Sequence, residues 1–397
     1  MRTATVKSLA EIAEFVQYGY TTSASKHPVG PRFLRITDIV PSQIDWDSVP
    51  YCEIDEKVKD KFLLASDDIV IARTGATVGY AKLIRNNPES VFASYLVRIR
   101  VNRQLANPGY VGRIVESGIY KQFVMSRVSG AAQPNANAKV LSAFRLPIPK
   151  RSTQSRIVEI LSAYDDLIEN NRRRIALLEQ AARLLYKEWF VRLRFPGHEH
   201  TKIINGVPEG WEKKVLGDLC FEVRETVSPS AFEANTPYIG LEHMPRRSIT
   251  LCEWGQAEQV TSSKHRFREG EILFGKIRPY FHKVGIALTD GVASSDAIII
   301  RPAHSHLLPL VLMKTSSDGF VAVTAQQMKE GSKMPRADWK QMQQYPVPLP
   351  PDGLLRAFNN FIDPILNQLK TLAFANKRLG AARDLLLPKL MNGEVAV

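Results

Sequence analysis

Two short stretches carry the side chains best suited to chemistry in this 397-residue chain. In ARTGATVGYAK, Arg73, Thr74, Thr77 and Lys82 surround two glycines, which let a backbone turn tightly against a phosphate or a base edge. In AAQPNANAK, the amides of Gln133, Asn135 and Asn137 are followed by Lys139. Asn and Gln match the donor–acceptor pair on adenine, Arg matches guanine, and Lys suits phosphate. Further along, the counterparts are Lys276, Arg278, Tyr280, His282 and Lys283, then Lys333 and Arg336. This inventory fits the binding of a double helix.

Stretches that imitate catalytic motifs lack essential parts. GEILFGKI (270–277) has the G-x-x-x-x-G-K spacing of a phosphate loop. Its interior is apolar and strand-like, and Ile277 stands where a Mg²⁺-binding hydroxyl is required. NPGY (107–110) lacks the second proline of an amino-methyltransferase tetrapeptide and has no glycine-rich cofactor loop upstream, so it reads as a turn. His198 and His200 in GHEH have no third ligand at a metal-binding spacing and read as solvated loop residues. Cys52, Cys220 and Cys252 are isolated, which suits a reducing compartment. No segment approaches the ~18 apolar residues of a membrane span, and the expected location is the cytoplasm.

The elements that position these loops emerge from an internal repeat. GAAQPNANAKVLSAFRLPIP (130–149) aligns without gaps on GSKMPRADWKQMQQYPVPLP (331–350), so that Pro134 matches Pro335 and Pro149 matches Pro350. DDIVIARTGATVGYAKLI (67–84) parallels GEILFGKIRPYFHKVGIAL (270–288), and each proline segment is followed by a helical stretch. Apolar runs at Asp68–Ala72, Val97–Val101 and Ala297–Ile300 predict strands, and residues 110–130 and 307–331 predict helical segments. The expected class is α/β, with two repeated globular domains at 1–150 and 196–350. Helices at 151–195 and 351–397 separate them, and a Gly/Pro-rich linker covers 195–210.

In both helices apolar residues recur in steps of four and three, from Ile157 to Trp189 and from Phe358 to Leu390. Sustained spacing of this kind predicts a coiled coil. Pro364 is expected in the first turn or at a kink of the second helix, and Pro388 is expected to disturb its last turn. Asn171 is the fifth of ten seam positions in the first helix and Asn376 the sixth in the second. An antiparallel, pseudo-twofold pairing brings them together and fixes register. Helices of about 34 residues span roughly 50 Å, comparable to ~15 base pairs.

The net charge of +13 favours a polyanionic partner. Residues 1–150 hold 20 Lys and Arg against 13 Asp and Glu, whereas residues 196–350 hold 18 against 17. The second domain is therefore expected to gather its cations on one face.

DIVIARTGATVG, GAAQPNANAKVLSAFRLPIP, the helix beginning RIVEIL, and ARDLLLPKLMNGEV, in this order and with twofold repetition, resemble the specificity (S) subunit of type I restriction–modification systems over essentially the whole chain. The resemblance implies two target recognition domains, each reading half of a bipartite site in double-stranded DNA. It implies helices that set their separation and dock methyltransferase (M) subunits, with motor-endonuclease (R) subunits joining. It also implies no catalysis and no cofactor in this chain: S-adenosylmethionine, ATP and Mg²⁺ belong to the partners. The sequence departs from the family pattern before each helix, at KRSTQSRI and PDGLLRAF, which leaves the helix starts open by a few residues. FGKIRPYFHKVG replaces IARTGATVG, so the second domain's loop is expected to be longer and differently shaped. Arg172, Arg173 and Arg174 lie outside the seam, where DNA, a methyltransferase subunit or solvent are all open. Two alternatives stand beside this reading: a catalytic DNA methyltransferase, and a coiled-coil scaffold that binds protein only.

Overall fold

Asp68–Ala72 is a wholly buried strand, the third in a four-stranded antiparallel sheet ordered Ala13–Tyr18, Leu96–Val101, Asp68–Ala72, Ala81–Leu83. The structure, a computed structural model, describes residues 5–41, 43–128, 134–326 and 335–395. A sheet with the same succession is built later from Cys220–Val223, Ala297–Pro302, Ile272–Gly275 and Val284–Ala287, with Thr250–Leu251 added in parallel at its edge. The apolar run in GEILFGKI is thus a sheet strand whose backbone N–H groups serve the ladder.

A buried acid opens the corresponding strand in each sheet. Asp68 accepts from Arg100 Nε and Nη2 at 2.7 and 2.8 Å, and from Ala65 N at 2.9 Å. Glu271 receives Arg301 Nε and, at 2.9 Å, Arg268 N. Buried carboxylates need such partners to remain charged. Each proline segment pairs with the strand that opens its own repeat: Arg145–Ile148 with Thr5–Ser8, and Pro346–Leu349 with Glu212–Val215.

The chain divides into two compact units, Met1–Asp166 with Gly380–Val397, and Leu167–Leu379. Each unit takes a share of both long helices, because the seam residues complete its core. In the first unit the seam residues Ile157, Leu161 and Leu390, joined by Leu387 next to the seam position Leu386, pack with Leu9, Tyr110 and Tyr120. In the second, Ile175, Ala182, Phe358 and Leu369 pack with Phe274, Leu310 and Phe320. The predicted helical segments each break once, into Pro108–Val115 and Gly118–Val128, and into Leu308–Thr315 and Asp318–Gln326. No single helix among the described residues is long and apolar enough to cross a membrane.

The long helices run Arg151–Tyr186 and Asp352–Asn392. Gln154 fastens the first: its Nε2 donates to Pro149 O at 2.8 Å, and its Oε1 accepts Asn107 N at 2.7 Å. Asn107 in turn caps Pro108–Val115 through Gly109 N, so NPGY begins a helix instead of forming the expected turn. Neither proline ends the second helix. Pro364 is exposed, as are Asn360 and Asp384, the residues whose carbonyls lose their usual intrahelical donors. The 195–210 linker contains a small hairpin, Ile203–Ile204 with Val207–Pro208, turned by left-handed Asn205 and Gly206.

Within the second unit, Asn171 Nδ2 donates to Asn376 Oδ1 at 2.9 Å, and Trp189 packs on Phe358 with ring centroids 5.8 Å apart. In the first unit Arg383, a seam residue, is paired with Asp165 at 2.6 Å. The second unit also holds its share of the first helix through Glu179, which is 4% exposed. Glu179 Oε1 accepts from Ser248 Oγ at 2.7 Å, Ile249 N at 3.1 Å, Thr250 N at 3.0 Å and Thr250 Oγ1 at 2.5 Å. Arg172, Arg173 and Arg174 are all exposed, and Glu169 pairs with Arg173 at 3.0 Å. The half-buried amide pair has a testable signature. Asn171→Leu alone strands one amide and should cost about 1 kcal/mol. Asn171→Leu with Asn376→Leu should return stability to or above the parent, read by urea unfolding; additive losses would contradict the pairing.

Candidate nucleic-acid interface

The loop after each buried strand is held by the returning proline segment. In the first unit Thr74 bridges Asn135, Gly75 N donates to Pro134 O at 3.0 Å, and Ala136 N donates to Arg73 O at 2.8 Å. In the second, Ile277 bridges Arg336, Arg278 N donates to Pro335 O at 3.0 Å, and Ala337 N donates to Lys276 O at 2.8 Å. Even the anchoring of the first loop residue repeats: Arg73 N reaches Tyr95 O, and Lys276 N reaches Asp296 O. The frame is the same in both units, and the side chains it carries differ.

The expectation of a longer second loop is corrected. Strands Asp68–Ala72 and Ala81–Leu83 leave residues 73–80 between them, and Ile272–Gly275 and Val284–Ala287 leave 276–283, eight residues each time. Backbone shape is shared as well. Gly75 and Gly79 have φ of +77° and +84°, and the matching residues Arg278 and His282 have +49° and +56°. Left-handed backbone costs a non-glycine residue roughly 1–2 kcal/mol, so both positions need support. Arg278 has its bond to Pro335 O, and His282 has its burial.

His282 is therefore not placed as a DNA-facing residue. It is 5% exposed, its Nε2 lies 2.8 Å from Ser316 O, and its Nδ1 lies 3.5 Å from Asp318. Lys283 is likewise engaged, with Nζ donating to Leu241 O, and burial lowers its pKa. Asn137 caps the short helix Ala138–Ser142 by accepting Val140 N at 2.9 Å. Lys82 sits in the strand opposite Val70, not in the turn itself. Thr77 is half-buried inside the turn, where its carbonyl accepts Tyr80 N at 3.0 Å. Tyr280, Arg278 and Lys139 are exposed. Gln133 and Lys333 lie outside the described residues.

Of the remaining candidates, the structure brings Arg73, Thr74 and Asn135 together in the first unit, and Lys276 and Arg336 in the second. Lys276 and Arg336 line a cleft of about 470 Å³ with Arg224, His265, Asp296 and Glu222. Burial lowers the pKa of His265. Two residues not among the sequence candidates also belong to the site: Tyr18, whose ring lies 4.8 Å from the Arg73 guanidinium, and Asp296, which is 3.5 Å from Arg336. Both stand on other strands or turns, and no local spacing marks them.

Residues 1–180 match the family model described as the type I restriction modification DNA specificity domain. This part of the chain is similar to that family. The MjaIX specificity subunit of Methanocaldococcus jannaschii is 23% identical over 335 residues, covering 76% of this chain and 75% of that protein. The EcoDI specificity subunit of Escherichia coli is 24% identical over 272 residues, 61% of this chain and 57% of that one. A crystal structure of a type I restriction-modification S subunit from M. genitalium superposes with a TM-score of 0.55 at 14% identity, covering 98% of this chain and 96% of that chain, which shows a shared fold.

The burial of His282 has a consequence for stability against pH. Burial lowers its pKa, with Arg247 and Arg183 adding to the shift and Ser316 O and Asp318 opposing it. The unfolded chain, with an ordinary His pKa near ~6.5, then takes up the proton first as pH falls. Stability is complete above that value and declines as pH drops toward the lower, folded-state pKa. His282→Asn, which tolerates left-handed backbone, should flatten that decline in unfolding curves taken between about pH 5 and 7. An unchanged acid slope would show that His282 is not buried neutral.

Proposed function

We propose that this chain is the DNA-specificity subunit of a type I restriction–modification enzyme, and that each unit reads one half of a bipartite site in double-stranded DNA. The observation that carries this reading is the repeated loop frame: one backbone scaffold in two units, armed with different side chains. A protein that read a palindrome would be expected to arm both copies alike.

Phosphate contacts from exposed cations such as Lys139 and Arg278 position each unit, and a few loop side chains address base edges. The long helices act as an antiparallel coiled coil with pseudo-twofold symmetry, which fixes the separation of the half-sites and docks methyltransferase subunits. Motor-endonuclease subunits complete the enzyme in the cytoplasm. The chain itself contributes no bond-breaking step, and S-adenosylmethionine, ATP and Mg²⁺ act on the partner subunits. The amide pair supports this reading, because a spacer requires a defined register.

The test lengthens the spacer. Seven residues inserted into each helix, in register, add about 10.5 Å, or about three base pairs at 3.4 Å each. Mapping methylated bases in cells that express the chain with its methyltransferase should show both half-sites intact and the gap between them longer by that amount. An unchanged gap would sink the spacer role.

A further inference from the structure

We propose that Asn135 and Arg336 are the matched base-reading residues of the two units, Asn135 for adenine and Arg336 for guanine. Arg73 and Asp296 are the positioning residues that aim them. The assignment rests on the DNA-reading conclusion above and adds to it which residue reads which base.

Position is the first argument. Asn135 and Arg336 occupy the same place in their units, opposite Thr74 and Ile277 in an isolated bridge flanked by the same two hydrogen bonds. Both are exposed, so a groove edge can reach them. Their neighbours have other duties: Asn137 caps a helix, and Ala136 and Ala337 are buried.

Orientation is the second. Arg73 Nη2 donates to Asn135 Oδ1 at 3.3 Å, which identifies that amide atom as the acceptor and fixes the rotation of the group. Arg73 is itself held, with its guanidinium over the Tyr18 ring and the Tyr18 hydroxyl accepting Ala138 N at 2.9 Å. The oxygen keeps a second lone pair beside the Nδ2 hydrogens. An acceptor next to a donor complements the N6 amino group and N7 of adenine. Fixing the amide before contact avoids part of the entropy cost of ordering it on DNA.

In the second unit the same place carries a guanidinium. Arg336 Nη2 lies 3.5 Å from Asp296 Oδ1, and Asp296 O accepts Lys276 N at 2.7 Å, so the carboxylate belongs to the loop frame. The pair steers one edge of the planar fork and leaves its other donors for two acceptors side by side, which guanine offers as O6 and N7.

The experiment uses the full chain with its methyltransferase subunits and scores methylated sites genome-wide. Asn135→Ala should relax discrimination about ten- to a hundredfold at one adenine of one half-site, and Arg336→Ala similarly at one guanine of the other. Arg73→Lys should weaken discrimination at the Asn135 base alone, and should add nothing there once Asn135 is alanine. A role limited to folding or phosphate contact would lower occupancy evenly at every base. Even loss, no relaxed position, or relaxation in the same half-site by both alanine variants overturns the assignment. Absence of any two-part motif with the parent chain would overturn the DNA-reading conclusion, and the assignment with it.

Discussion

One hydrogen bond between two amides, Asn171 to Asn376, fixes what the rest of the second unit's helix packing depends on. The surrounding seam is apolar, with Ile175, Leu369 and Leu372 buried. Apolar seams tolerate a one-heptad slip at modest loss. Here a slip would set Asn171 against Leu369 or Arg383, and Asn376 against Leu178 or Tyr164, leaving amides unpaired. The numbering of contacts agrees: 171 with 376 and 189 with 358 have equal sums, and in the first unit 165 with 383 differs from that sum by one. A leucine pair would be more stable and less particular. The chain has the less stable and more particular choice.

A second constraint separates scaffold from reading surface. The buried carboxylates Asp68 and Glu271 hold the half-buried Arg100 and Arg301 and so tie neighbouring strands in both sheets. Arg98 and Arg113 are buried, Arg98 beside Asp68 and Arg113 beside Asp165 and Ser162. Several of the cations thus serve the interior beside carboxylates that cancel most of their charge, so the net +13 is carried mainly by other side chains. Burial lowers the pKa of Arg113 to about 10, which still leaves it charged at neutral pH. What faces outward is set by the loop frame, where the same backbone bonds recur and only the side chains vary.

Much of this was legible from residues alone. The proline segments, the apolar runs and the heptads are periodic or repeated signals, and the register of the asparagines followed from counting along them. The second loop misled because its glycines are gone: Arg278 and His282 adopt the backbone that Gly75 and Gly79 adopt, so equal lengths looked unequal. The roles of His282 and Asn137 were hidden for another reason. Whether a turn residue points into a core, onto a helix end or toward solvent is decided by distant elements, such as Ser316 for His282. Tyr18 was invisible to any local pattern, being 55 positions before the Arg73 it supports.

The central claim is that two structurally alike units read two different half-sites independently. Its most direct test replaces residues 1–150 with the first domain of another specificity subunit and maps the methylated bases in cells. The account predicts that one half-site changes while the other half-site and the gap stay as they were. A change in both half-sites, or in neither, would contradict it.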